Sequence, residues 1–171
     1  MFNIFGFYKF KNIIELKKHK QDLQQFMIKN EVRGLLILAK EGINGTISGK
    51  KKAITLFEVK ILKQFNFKVF DNKNISSSKF QPFHKAKVKI KKEVVPFGLN
   101  LNKQSKKKNV YVEPDKWNEL IKKKHTLLID ARKPFEHKVG TFKGASNSNV
   151  NNFRDFPKYL NKVKKSQPVA M

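Results

Sequence analysis

"GLLILAKEGINGTISG", residues 34–49, is the stretch on which the fold turns. Its opening "GLLILAKE" is a continuous apolar run of strand length. "GTISG" can return beside it through the Asn44-Gly45 corner, a residue pair favoured in hairpin turns. Upstream, "NIFGFYKF" at 3–10 alternates apolar and polar residues as a strand does. Between the two, Ile13, Leu16, Leu23, Phe26 and Met27 share one face with lysines opposite, which predicts a helix over about residues 12–30. Downstream, Ile54, Phe57, Ile61 and Phe65 are spaced to share a second helical stripe. After "FKVFDN" and a Ser/Asn-rich loop comes "KAKVKIKKEVV", residues 85–95. There Ala86, Val88 and Ile90 alternate with Lys85, Lys87, Lys89 and Lys91, the pattern of a strand with one basic face.

Strand, helix, strand, strand, helix, strand over residues 1–98 is the βαββαβ, or ferredoxin-like, pattern of an α+β domain. Its helices cover one face of the sheet and leave the other open. Lysines alternating on the last strand would set ammonium groups on that open face, where they can meet phosphates as point charges. A solvated strand face would read the same way. Two familiar uses of the fold find little support: "GLLILAKE" offers no aromatic residue for stacking bases, and "GFYKFKN" supplies no arginine for an acylphosphatase anion loop.

Composition sets the bounds. The chain carries 38 Lys+Arg against 13 Asp+Glu, a formal net charge of +25, which favours polyanionic partners. Part of that excess can reflect base composition, since Lys, Asn, Ile and Phe all have A/T-rich codons. No apolar stretch approaches a membrane span and "MFNIFGFYKF" lacks signal-peptide order, so the expectation is a cytoplasmic protein without a membrane partner. Cysteine is absent, which excludes disulfides and thiolate metal sites. His19, His84, His125 and His137 stand too far apart to suggest a metal centre. No G-x-G-x-x-G loop calls for a flavin or nicotinamide cofactor.

"LNLNKQSKKKN", residues 99–109, reads as a basic linker. Beyond it, "YVEPDKWNELIKKK" predicts a helix with Pro114 near its start, where a missing N–H costs nothing. "HTLLIDAR" is a strand ending in Asp130 and Arg132, at the carboxyl end where α/β ligand sites gather. Asp130 could fix neighbouring backbone N–H groups, and Arg132 stands four residues before Glu136 and could pair with it if the segment is helical; an ordinary structural ion pair would explain the Asp-x-Arg string equally well. Ser146 and Ser148 lie in "GASNSN" with no nucleophile elbow.

Taken together, "LLILAKEGINGTISG", "PFHKAKVKIKKEVVPFG", "YVEPDKWNELI", "LLIDARKPFEHKVGTFKGAS" and "NNFRDFPKYLNK" resemble, in order and spacing, the rhodanese-like tRNA uridine(34) hydroxylases. The resemblance runs from Phe2 to Met171. It implies a ferredoxin-like (acylphosphatase-like) domain at 1–98 and the first part of a rhodanese α/β domain at 110–171. It implies hydroxylation of uridine at carbon 5 in the tRNA anticodon region, with molecular oxygen as co-substrate and no other cofactor evident. Lys85, Lys87, Lys89 and Lys91 would then belong to a tRNA-binding surface. Asp130, Arg132, Glu136, Gly140, Gly144 and Ala145 match the family's rhodanese scaffold. In the family, a strand beginning like "QPVAM" leads into the loop with the catalytic cysteine, so the expectation is a chain truncated before its nucleophile and inactive alone. The alternative is a non-catalytic basic RNA-binding module or a truncated gene remnant. A strand starting at Pro168 is expected centrally in its sheet, so the segment from about Tyr111 onward is expected to be unstable beside a well-folded 1–98.

Overall fold

Alternation along strand β1 (Phe2–Phe10) puts Phe5 and Phe7 on one side, where both are buried. The computed structural model describes residues 1–95 and 112–171, so the basic linker at 99–109 lies outside the described residues. The chain divides into two compact units, Met1–Val95 and Pro96–Met171.

In the first unit β1 is followed by α1 (Leu16–Lys29), β2 (Arg33–Ala39), β3 (Gly42–Gly49), α2 (Lys51–Gln64), β4 (Asn72–Ser78) and β5 (Ala86–Ile90). The sheet order is β4-β1-β3-β2-β5, with β5 parallel to β2 and every other neighbouring pair antiparallel. Phe5, Phe7, Leu36, Leu38, Ile43, Ile47 and Val88 form one core with Leu23 and Met27 of α1 and Ile54, Phe57 and Ile61 of α2. Both helices therefore pack on the same sheet face. Burial of these side chains, at about 25 cal/mol per Å2 of apolar surface, is the main stabilising contribution of the unit.

Three expectations are corrected here. The Ser/Asn-rich segment is the sixth element of the βαββαβ order, and the lysine strand is an added fifth strand at the opposite edge. Asn72–Ser78 pairs with β1 although its side chains are almost all exposed, because backbone bonds alone hold an edge strand. Asp71 aligns it: Lys9 Nζ and Phe10 N donate to its carboxylate at 2.6 and 2.7 Å. The hairpin turns at Lys40-Glu41, and Asn44 and Gly45 sit inside β3 opposite Ile37 and Leu36. Gly45 is needed there for room, since a Cβ would run into Leu36 Cδ2 and crowd the Leu35 carbonyl oxygen. Finally, α1 starts at Leu16 and not at residue 12. Ile13 is buried from an extended segment whose N–H donates to Lys40 O at 2.8 Å, and Glu15 at φ 50° breaks the helical path.

The second unit runs α3 (Pro114–Lys122), β6 (Leu127–Asp130), α4 (Pro134–Val139), β7 (Ser146–Asn147), a short 3-10 turn, α5 (Phe156–Leu160) and β8 (Val169–Ala170). Its parallel sheet has the order β7-β6-β8. The strand after Pro168 is thus at an edge among the described residues, and β6 is the central one. Leu128, Ile129, Phe156 and Ala170 are the apolar side chains buried among the described residues of this unit. Phe135, Val139 and Phe142 remain exposed.

So uneven a distribution of buried apolar surface has a measurable result. Trp117 is the only tryptophan of the chain, so its fluorescence reports on the second unit alone. In urea its transition is expected at a lower concentration than the main far-ultraviolet circular dichroism transition. Phe57→Ala should shift the latter by about 3–5 kcal/mol. Coincident transitions would contradict this.

Candidate functional site

The lysine strand is fixed from outside the sheet. Gln24 of α1 donates from Nε2 to Ala86 O at 2.8 Å and accepts from Val88 N at 2.9 Å, acting as a short extra strand along the free edge of β5. Val88 thereby faces the core, and Lys87 and Lys89, both exposed, face the other way. Lys85, Lys87 and Lys89 line one open cavity of about 630 Å3 on the sheet face opposite the helices. Lys91 follows the strand, its N–H bonded to Leu38 O at 2.9 Å, and is not part of that lining. Phe83 and His84 also border the cavity, and the loop bearing them is tied down where the buried Ser48 hydroxyl donates to Gln81 Oε1.

In the second unit, the end of β6 forms a closed polar knot. Arg132 grips Asp130 with two parallel bonds, Nε to Oδ1 at 3.0 Å and Nη2 to Oδ2 at 2.7 Å, and its own N–H donates to Oδ1 at 3.0 Å. Thr141 Oγ1 adds a bond to Oδ2 at 2.9 Å, and Arg132 Nη2 also reaches Gly140 O at 2.6 Å. The Asp130 side chain is 8% exposed. The Arg132 guanidinium holds its carboxyl well below the usual carboxylate range; partial burial opposes this, and the Arg132 N–H and Thr141 hydroxyl assist. With both oxygens engaged, Asp130 is a fixed anion that shapes a loop and has little capacity left to take a proton.

Arg132 does not pair with Glu136 as the spacing suggested. The helix begins only at Pro134, and Glu136 turns back to accept from Lys133 N at 3.2 Å, capping α4. Gly140 closes that helix and Gly144 follows at φ 81°, a conformation glycine adopts without strain. Ala145 O lies 3.3 Å from His137 Nε2. Thr141 and Asn147 are the members that sequence reasoning missed. Asn147 Nδ2 donates to Asp130 O at 3.0 Å and to Arg132 O at 2.9 Å, joining β7 to the knot. Gln24 was equally invisible, being one polar residue on a helix rich in them. Among the described residues no cluster of three His, Cys, Asp or Glu side chains could hold a metal ion, and no helix is long and apolar enough to cross a membrane.

A sheet covered by two helices on one face, in βαββαβ order with one added strand, defines the first unit as an acylphosphatase-like α+β domain. The family model described as "UPF0176 acylphosphatase like domain" matches residues 2–94, and the chain belongs to that family. It is 59% identical over all 171 residues to a curated protein of Pelagibacter ubique (strain HTCC1062) named tRNA uridine(34) hydroxylase. The chain spans 56% of that relative's length. Among solved structures it is similar to an acylphosphatase from Coxiella burnetii, with 9% identity, TM-score 0.37, and coverage of 51% of this chain and 90% of that one. It is also similar to full-length HypF in its phosphate- and nucleotide-bound form, with 13% identity, TM-score 0.40, and coverage of 56% and 13%. At such scores neither structure bears on what this chain binds.

The knot makes a prediction about acid. Asp130 titrates below its ordinary value of 3.8 in the folded chain, so the unfolded chain binds more protons near that pH. Its contribution to stability is complete above about pH 4 and is lost as pH falls further. Trp117 fluorescence should therefore show the thermal midpoint of the second unit falling below that pH. Asp130→Asn should lower the midpoint by a few degrees at neutral pH and flatten its acid dependence; an unchanged acid limb in the variant would count against the knot.

Proposed function

We propose that these 171 residues serve in tRNA modification, within an oxygen-dependent tRNA uridine(34) 5-hydroxylase. The observation that carries this is 59% identity, over every residue of the chain, to a curated relative of that name. On this reading the first unit is the RNA-binding domain. Lys85, Lys87 and Lys89 meet backbone phosphates of the tRNA anticodon region, with Lys91 beside them. Residues 110–171 are the opening part of a rhodanese domain, in which Asp130, Arg132, Glu136, Gly140 and Gly144 position backbone and do not react. Molecular oxygen is the co-substrate, and the setting is cytoplasmic.

The 171 residues contain no cysteine, so they supply no thiolate nucleophile themselves. A second reading is a basic RNA-binding module without catalysis, which the formal net charge of +25 favours. Both readings need the lysine face. They part at the chemistry.

Expressed alone in cells lacking the hydroxylase, the chain is expected to leave tRNA without 5-hydroxyuridine derivatives. The same residues joined to the remaining portion of the Pelagibacter relative should restore them. Digestion of bulk tRNA followed by mass spectrometry reads both. Failure of the fusion, if it is folded and binds tRNA, would favour the non-catalytic module. Modified tRNA from the cysteine-free chain alone would overturn the assignment of roles. In tRNA titrations, Lys87→Glu with Lys89→Glu should weaken binding about tenfold or more at low salt and reduce the salt slope by roughly 1 to 2.

A further inference from the structure

We propose that the cavity on the open sheet face seats one unpaired nucleotide of an RNA loop, with its base inside and its flanking phosphates on the β5 lysines. The inference rests on the RNA-binding reading above and adds the base pocket to it.

The lining has the layered chemistry of a nucleotide. Leu35 and Ile37 project from β2 on the side away from the helices, and Leu35 is 38% exposed, an apolar floor without a protein cover. Phe83 rises beside this floor on the loop that Gln81 secures, and it makes no ring contact with another aromatic among the described residues. A flat heterocycle can stack on such a ring whatever its identity. Asn44 lies at the cavity, and its side-chain amide has no hydrogen bond to the described residues. An amide offers both donors and an acceptor, which suits the polar edge of a base. At the rim, Lys85, Lys87 and Lys89 supply the cations that phosphates require.

Each alternative uses only part of this lining. A duplex keeps its bases stacked inside and would meet the lysines without filling the floor. A free phosphate needs neither floor nor ring. An acidic peptide would satisfy the lysines and leave the unbonded Asn44 amide and Phe83 unexplained. The cavity is also built to hold its shape, because Gln24 fixes β5 and the Ser48–Gln81 bond fixes the loop.

The test is a fluorescence anisotropy titration of the full chain with a labelled short oligouridylate, against a hairpin duplex of equal charge and against polyglutamate as competitors. The single strand is expected to bind more tightly than the duplex, and polyglutamate is expected to compete poorly. Phe83→Ala or Asn44→Ala should weaken the single strand, about tenfold for Phe83, while leaving the salt slope unchanged. Lys87→Glu with Lys89→Glu should flatten the slope by about 0.7 per lysine. Circular dichroism checks folding, and Phe83→Leu, which keeps apolar bulk, should weaken the single strand as Phe83→Ala does, whereas Phe83→Tyr should bind like the parent chain. If the lysine variant weakens binding but the Phe83 and Asn44 variants bind like the parent chain, the base pocket is wrong and the charge reading stands. If none of the variants alters binding, both are wrong. Equal competition by polyglutamate would also overturn the pocket.

Discussion

Two helices cover one face of a five-stranded sheet, and the other face is left largely open, met only by the loop that Gln81 ties to Ser48. That asymmetry divides the residues of each strand between two tasks. Phe5, Phe7, Leu36, Leu38, Ile43, Ile47 and Val88 are committed to the helices and admit little change of volume. Their neighbours, one residue along, point outward and are released from packing. Leu35, Ile37, Asn44 and the lysines of β5 belong to this second set. A slip of one residue in any pairing would exchange the two sets, so the buried half fixes where the outward half stands.

Periodicity is legible where burial imposes it. The stripe Ile54, Phe57 and Ile61 marks α2, and the apolar run marks β2, because each buries a continuous face. β4 escapes for the converse reason. Its sequence "NKNISSS" has nothing to bury, and its place is set by the backbone of β1 and by Asp71. The Asn44-Gly45 pair misleads because glycine answers two needs, a positive φ in a turn or room for a neighbour. Here Leu36 makes the second decisive. The lysine alternation is correctly read as one basic strand face, but which edge it occupies depends on a parallel pairing with β2 that no local pattern announces.

That Asp130 could hold a nearby backbone N–H or join a structural ion pair was legible in the string, but the two-bond grip of Arg132 was not. Spacing offered Glu136 as the partner of Arg132. The chain chooses Asp130 because two residues that end a strand and begin a turn can close a bidentate ring before any helix starts. Thr141 and Asn147 complete that ring from β7 and the preceding loop, so the polar network spans segments whose apolar contribution is slight. Order in the second unit thus leans on directed polar bonds to a greater degree than in the first.

Gln24 bears on whether the free edge of β5 is open to another strand. A sheet that ends in a bare strand invites another chain to extend it, the first step toward polymers. With its amide on Ala86 and Val88, Gln24 occupies backbone positions that an incoming strand would need. The lysines beside it repel any identical edge that approaches. One side chain on a helix therefore both aims the basic face and seals the seam along which the sheet could have grown.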